Sequence, residues 1–168
     1  MKTVSKIAFL TIGLGLFTFS ASGQIPLVSI GGGTVDVQAQ KGKVVVLAVG
    51  ASWLPLSAKQ VEFTNLLSKK YAGKNVAVFF IATDSMNPRS RNHATNEALS
   101  AFVSDHKLNV PLLRDPDGTA LIRKFRVDQL PSFIVLDKNG SLSGPAFGGI
   151  DPKFDITVSI AKRVDSLL

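Results

Sequence analysis

Residues 44–57, with the sequence VVVLAVGASWLPLS, contain the transition on which the predicted fold depends. The stretch begins as a continuous apolar run rich in valine, which is typical of a strand buried on both faces of a sheet. Gly50 and Ser52 interrupt the run, and Trp53 and Pro55 follow. The pattern predicts a strand, a tight turn and then a helix. Such a turn lies at the C-terminal edge of a central strand, where open α/β sheets place their chemistry.

The predicted helix extends from about Ser57 to Tyr71. Its apolar residues recur at helical spacing, at Val61, Phe63, Leu66, Leu67 and Tyr71. Ser57 is a favourable N-cap residue, and Gln60, three places later, completes a capping-box pattern. Gly73 is expected to end the helix. The sequence therefore predicts that the side chains of Ser57 and Gln60 stabilise the start of this helix.

The rest of the chain alternates between predicted strands and helices, after an irregular lead-in over residues 25–33. The predicted elements are a short edge strand at 34–37, strands at 75–83 and 130–136, helices at 95–106, 119–125 and 152–167, and an outer strand at 141–147. An Asn139-Gly140 turn joins the last two strands as a hairpin. Strands separated by helices pair in parallel through right-handed crossovers. The predicted class is α/β, with a central mixed sheet flanked by helices on both faces.

Residues 1–23 have the layout of a secretory signal peptide. Two lysines precede an apolar run from Ile7 to Phe19, and small residues follow at a plausible cleavage point. The run is shorter than the roughly 20 residues that span a bilayer. We predict export to the periplasm or the extracellular space, with residues 24–168 as one domain that has no membrane attachment after cleavage. An uncleaved signal anchor is the alternative.

The chain contains no cysteine. This excludes a disulfide framework, a thiol nucleophile, a cysteine-based metal site and a lipoprotein anchor on cysteine. The formal net charge is +7, and removal of the leader with Lys2 and Lys6 leaves +5, which favours loose attraction to acidic partners. The basic residues form no stripe interleaved with aromatic residues, so nucleic-acid binding is not predicted.

Four segments carry a family resemblance: Ala51-Ser52-Trp53, residues 76–84, residues 110–118 and residues 130–140. In this order and at these spacings, they resemble the TlpA/ResA branch of exported thioredoxin-like proteins, near the redoxin group. The resemblance covers nearly all of residues 24–168. It implies a thioredoxin-like fold.

The resemblance places the two redox cysteine positions of that family at Leu54 and Ser57. In the family one cysteine attacks a substrate disulfide and the other resolves it, which requires a thiolate. Leu54 cannot ionise, and the Ser57 hydroxyl needs a neighbouring base to attack anything. The position that often holds a glutamate in this branch holds Gln60, which cannot relay protons. The chain is therefore predicted to have no catalytic residue and no cofactor, and thiol–disulfide exchange by this chain alone is excluded.

The resemblance also implies a cis Leu130–Pro131 bond beside an exposed groove. In such folds the segment before the proline presents backbone groups to an extended peptide, as in strand addition. The residues predicted to form the binding groove are Trp53, Leu54, Pro55, Leu56, Leu130 and Pro131. An apolar rim of this kind often marks a binding site. The alternative is that Leu54 and Leu56 pack down and fill the vacated site.

Other candidate sites have simpler explanations. Serine catalysis at Ser57 requires a histidine, yet His93 is predicted in a loop and His106 at a helix end, where it interacts favourably with the helix dipole. Asp115 and Asp117 belong to an Asp-Pro-Asp-Gly turn, and no further carboxylates continue the spacing of a calcium loop. No metal site is predicted.

Together these features favour an exported thioredoxin-like protein without redox activity. Its predicted partner is an envelope protein or an extended peptide segment, which it binds or helps to assemble. One alternative is a TlpA/ResA-like thiol–disulfide oxidoreductase in cell redox homeostasis, which would need a cysteine from a partner. Another is a structural accessory subunit that only stabilises a second protein.

Overall fold

The computed structural model describes residues 27–115 and 119–168. Within those ranges the chain forms β1 (Leu27–Ser29), β2 (Thr34–Val35), β3 (Val44–Gly50), α1 (Ser57–Lys70), β4 (Val76–Ala82), α2 (Asn96–Asp105), β5 (Leu112–Arg114), α3 (Ala120–Phe125), β6 (Ser132–Leu136), β7 (Phe147–Gly148) and α4 (Ile156–Asp165). The strands form one sheet in the order β2-β1-β5-β4-β3-β6-β7.

The strand β3 lies in the interior of the sheet between β4 and β6, and all seven of its residues are buried. It pairs in parallel with β4, where Gly50 lies opposite Ala82, and antiparallel with β6, where Val49 lies opposite Ser132. These two registers bring the end of β3, the end of β4 and the start of β6 to one edge of the sheet. The turn after β3 and the residues just before β6 are therefore neighbours.

Alternate side chains of β3 enter two separate apolar clusters, one on each face of the sheet. Val44, Val46 and Ala48 join the first cluster, which also contains side chains of α1, α2 and α4. Val45, Leu47 and Val49 join the second, which contains side chains of α3. This double burial explains the unbroken apolar run, because neither face of the strand meets water. The predicted α/β class, a mixed sheet flanked by helices on both faces, is confirmed.

Three predicted elements differ from the structure. The lead-in contains a strand, β1, which pairs with both β2 and β5. The predicted outer strand at 141–147 is reduced to a bridge at Leu142 and to β7, since Gly144 has φ +85° and Pro145 has no N–H to donate. The last helix begins at Ile156 and not at 152, because Asp155 caps it by accepting a hydrogen bond from the Thr157 N–H at 2.9 Å.

The predicted signal peptide at residues 1–23, the start of the domain at residues 24–26, and residues 116–118 of the Asp-Pro-Asp-Gly turn lie outside the described ranges. Among the helices that the structure describes, none has the length and apolar character needed to cross a bilayer.

Candidate functional site

The turn between β3 and α1 presents an exposed aromatic side chain. Trp53, the single tryptophan of the chain, is 55% exposed, and Pro55 is also exposed. Hydrogen bonds from the Leu54 N–H to the Ala51 carbonyl (3.2 Å) and from the Ser57 N–H to the Leu54 carbonyl (3.0 Å) hold the turn. An exposed tryptophan on an ordered turn is an apolar surface available for contact.

The segment before β6 lies beside this turn. The Leu130–Pro131 peptide bond is cis, Pro131 is buried and Leu130 is half-buried against the second cluster. Because Val49 pairs antiparallel with Ser132, Pro131 lies next to the end of β3. The structure thus places the predicted groove residues at one sheet edge.

Leu54 and Leu56 differ in their packing, although both are half-buried. Leu56 packs against the first cluster. Leu54 is a member of neither cluster within the described ranges. The turn therefore uses one leucine for the core and keeps the other at the surface beside Trp53.

The predicted capping box is wrong. The N-cap of α1 is Leu56, and no side chain caps this end. The Ser57 hydroxyl is buried and donates to the Ala51 carbonyl at 2.5 Å, while the Gln60 amide donates to the carbonyls of Val49 and Ser132, each at 3.0 Å. Both side chains satisfy carbonyl oxygens inside the protein, so neither reaches the free N–H groups of the helix.

Gln60 also explains the glycine that ends β3. A Cβ atom on Gly50 would lie 2.2 Å from Gln60 Oε1, closer than any side chain tolerates. Gln60 is fully buried, and its Oε1 atom accepts no hydrogen bond from the described residues. The amide is thus a neutral group enclosed beneath the groove.

Asp84 is a site residue that the sequence analysis missed. It lies two residues after the end of β4, is fully buried, and accepts hydrogen bonds from the Ser52 N–H (3.0 Å) and the Ser52 hydroxyl (2.7 Å). Thr83 adds a hydrogen bond from its hydroxyl to the Gly50 carbonyl at 3.0 Å. The sequence signal for Asp84 is an acidic residue immediately after the predicted strand at 75–83. This is the place where side chains meet at the edge of an α/β sheet.

A buried arginine lies close to Asp84. Arg114 donates to the Ala94 carbonyl at 2.6 Å and to the carbonyls of Asp84 and Ser85, each at 3.3 Å. Burial lowers the pKa of Arg114, and the negative charge of Asp84 opposes that shift. An arginine stays protonated under such conditions. The two residues therefore act as a structural pair that holds the turn at 51–56 and the loop at 85–95 together.

Neither histidine activates Ser57. His93 lies in the loop after β4, bridged to Ser85, and His106 follows α2, as predicted, with its ring 4.7 Å from that of Phe102. The buried Ser57 hydroxyl donates to a carbonyl and not to a base. Asp115 accepts a hydrogen bond from the Leu121 N–H at the start of α3. Across the part of the chain that the structure describes, no cluster of histidine, aspartate and glutamate side chains is suited to hold a metal ion.

The family model described as Redoxin matches residues 18–162. The chain belongs to the Redoxin family. Since it contains no cysteine, the prediction of a thioredoxin-like chain of the redoxin branch with both redox cysteines replaced is confirmed. Among curated proteins, none matches this redoxin-family chain.

Solved structures support the fold of this redoxin-family chain. It is similar to a secreted disulfide oxidoreductase of Mycobacterium tuberculosis described as homologous to Escherichia coli DsbE (21% identity, 86% of this chain and 96% of that chain, TM-score 0.64). It is also similar to an exposed lipoprotein thioredoxin of Streptococcus pneumoniae (22% identity, 86% of this chain and 99% of that chain, TM-score 0.67). A thioredoxin-like protein of Aeropyrum pernix also matches (18% identity, 85% of this chain and 89% of that chain, TM-score 0.66). At these identities the likeness establishes the fold alone, which is thioredoxin-like.

Proposed function

We propose that this chain is an exported thioredoxin-like protein that binds an extended segment of a partner protein in the cell envelope, without redox chemistry. The observation that carries the proposal is the exposed Trp53, beside Leu54 and Leu130, on a redoxin-family chain that has no cysteine. On this proposal the groove is kept while the sulfur chemistry is absent. Its function is then recognition, as a binding or assembly factor.

The backbone next to the groove supports strand addition as the binding mode. Leu130 lies between α3 and β6, and no backbone hydrogen bond joins it to another residue of ranges 27–115 and 119–168. Its N–H and C=O groups are therefore available to an incoming chain. Backbone hydrogen bonds supply affinity in this mode, and side-chain pockets supply specificity.

Substitution at Leu54 tests the proposal. A photo-crosslinking amino acid at Leu54, and the same group at exposed Lys43 before β3, would be used in cells to find the partner. Leu54→Asp should then abolish capture of that partner, because it places a charge in the apolar rim, while urea unfolding stays close to wild type. Lys43→Asp is the matched control and should leave capture intact. Unchanged capture by Leu54→Asp would point to another surface and to an accessory role.

The alternative, thiol–disulfide exchange, has a direct assay. Proteins of similar structure include a disulfide oxidoreductase, but Leu54 and Ser57 offer no thiol. Insulin reduction by dithiothreitol should proceed at the same rate with and without the purified protein. Catalysis above that background would overturn the proposal.

Export is proposed from the leader and tested by its processing. N-terminal sequencing of material recovered from the periplasm or the medium should give Gln24 as the first residue. An intact Met1 would contradict cleavage and indicate a retained anchor.

A further inference from the structure

The loop that follows β4 is anchored to the turn that presents Trp53. The hydrogen bonds between Ser52 and Asp84 join the base of this loop to the turn that presents Trp53. Met86, two residues after Asp84, is 43% exposed. These hydrogen bonds fix the base of the loop that carries Met86 beside the turn that carries Trp53.

This loop is held in place by its own hydrogen bonds. The Ser85 N–H donates to the Asn92 carbonyl at 2.7 Å, and the Ala94 N–H donates to the Ser85 carbonyl at 3.2 Å. The buried guanidinium of Arg114 donates to the carbonyls of Ser85 and Ala94 from below. Side chains on the loop consequently project from a fixed base.

The exposed charge of the loop is positive. Arg89 and Arg91 are exposed, and their guanidinium groups form no hydrogen bond or ion pair with the residues in the described ranges. Residues 85–95 contain no aspartate or glutamate. Asp84, the acid that precedes the loop, is buried and accepts hydrogen bonds from Ser52, and the first acid after the loop is the exposed Glu97 in the first turn of α2. Nothing within the loop neutralises the two arginines.

The opposite side of the groove has no comparable excess of charge. There, exposed Arg126 and Asp128 precede Leu130 and are of opposite sign. The sign preference of the groove is thus determined by the loop after β4. Guanidinium groups pair with carboxylates in bidentate geometry, and such complementarity mainly provides specificity and orientation.

We infer that the groove selects an extended partner segment in which acidic side chains lie next to the apolar residue, with Arg89 and Arg91 as the specificity-determining residues. The inference rests on the proposed function, since it names the chemistry of the segment bound in the same groove. The apolar residue contacts the surface of Trp53 and Met86. The acidic residues extend toward the loop after β4, which also sets the direction in which the segment lies.

Trp53 provides the assay, because it is the only tryptophan and its fluorescence reports on the groove. The probes are two synthetic extended peptides of alternating leucine and serine. One carries two aspartates at one end, and the other carries two lysines at that place. Binding is measured for the wild type, for Arg89→Glu/Arg91→Glu, and for Lys41→Glu/Lys43→Glu. The last variant is a matched control, since it makes the same change in charge just before β3. That position is at the opposite end of the strand from Trp53, about 20 Å away for seven residues at the rise of a β-strand.

The wild type and the lysine control should bind the acidic peptide about fivefold more tightly than the basic one at low salt, the effect of two exposed ion pairs. Arg89→Glu/Arg91→Glu should reverse that order, and added salt should reduce the preference. If both peptides bind equally, or if the arginine variant keeps the preference, the inference fails and the proposed function stands. If neither peptide alters Trp53 fluorescence, strand capture by the groove fails, and the inference fails with it.

Discussion

Gln60 joins two strands of the sheet through one amide group. Its Nε2 atom donates to the carbonyl of Val49 in β3 and to the carbonyl of Ser132 in β6. An amide has two N–H donors and keeps no charge at any pH, so it can satisfy both oxygens inside the core. A carboxyl group at this place has at most one proton to donate. The residue type is therefore matched to a buried position that must satisfy two carbonyl oxygens and stay neutral.

Gln60→Glu should make stability depend on pH. Burial and two facing carbonyls would raise the pKa of the carboxyl group above its unfolded value of about 4.3, because both disfavour the charged form. A raised folded-state pKa means that stability is retained below about pH 4 and is lost as pH rises. A shift of two units corresponds to about 3 kcal/mol of unfolding free energy lost by pH 8, relative to the wild type. Urea unfolding of the variant and the wild type at pH 4 and pH 8 measures this loss. An equal loss of unfolding free energy at both pH values would contradict the role assigned to Gln60.

Helix starts in this protein are built in two different ways. Thr95 caps α2 by accepting a hydrogen bond from the Ala98 N–H at 3.1 Å. The start of α1 has no such side chain, and Ser57 donates its hydroxyl to the preceding turn instead. Serine and threonine suit both situations, because a hydroxyl both donates and accepts. The local sequence pattern does not distinguish them.

Substitution by aspartate should separate the two kinds of helix start. A carboxylate accepts but does not donate, so it serves well as an N-cap and benefits from the helix dipole. Thr95→Asp should therefore change the unfolding free energy by less than about 0.5 kcal/mol. Ser57→Asp buries a charge against the Ala51 carbonyl and should cost about 3 kcal/mol or more. Chemical denaturation measures both variants; similar stability for the two would restore the capping interpretation of Ser57.

At the scale of the whole molecule, the proposed groove is formed by two separate chain segments, one running from β3 through the Trp53 turn into α1 and the other preceding β6. The end of β3, the start of α1 and the residues before β6 meet because β3 pairs with β6 in antiparallel register. Asp84 and Arg114 then fasten the loop after β4 to the same edge. Leu54 and Ser57, where the sequence resemblance places the family's cysteines, lie in the first of these segments, with Leu54 in the turn and Ser57 at the start of α1.

Restoring both cysteines tests whether the proposed groove is intact. Leu54→Cys/Ser57→Cys should catalyse insulin reduction by dithiothreitol, because a thiol at a helix N-terminus has a lowered pKa. Leu54→Cys and Ser57→Cys alone are the controls, because each lacks the second thiol that resolves a mixed disulfide. The turbidity of reduced insulin gives the rate. A double variant that forms the internal disulfide and yet stays inactive would show that the groove differs from that of its redox-active relatives in more than sulfur.

The sequence by itself determined the fold class, the central strand and the absence of thiol chemistry. Apolar periodicity is local, so the buried strands at 44–50 and 132–136 and the helix after the Trp53 turn were predictable. A missing atom type is certain from the sequence alone. The strand β1 was not predicted, and the strand that includes β7 was predicted with the wrong bounds, because the pairing of two or three residues depends on distant partners.

Only the tertiary structure decided what Ser57, Gln60 and Asp84 do. For Ser57 and Gln60 the capping pattern suggests the start of α1 as partner, yet Ser57 donates to Ala51 and Gln60 donates to Val49 and Ser132. Asp84 carries no such local signal and accepts from Ser52. A polar side chain in the core must satisfy whichever donor or acceptor the packing brings to it. Which group that is depends on strand register, a property of the whole sheet and not of neighbouring residues in the chain.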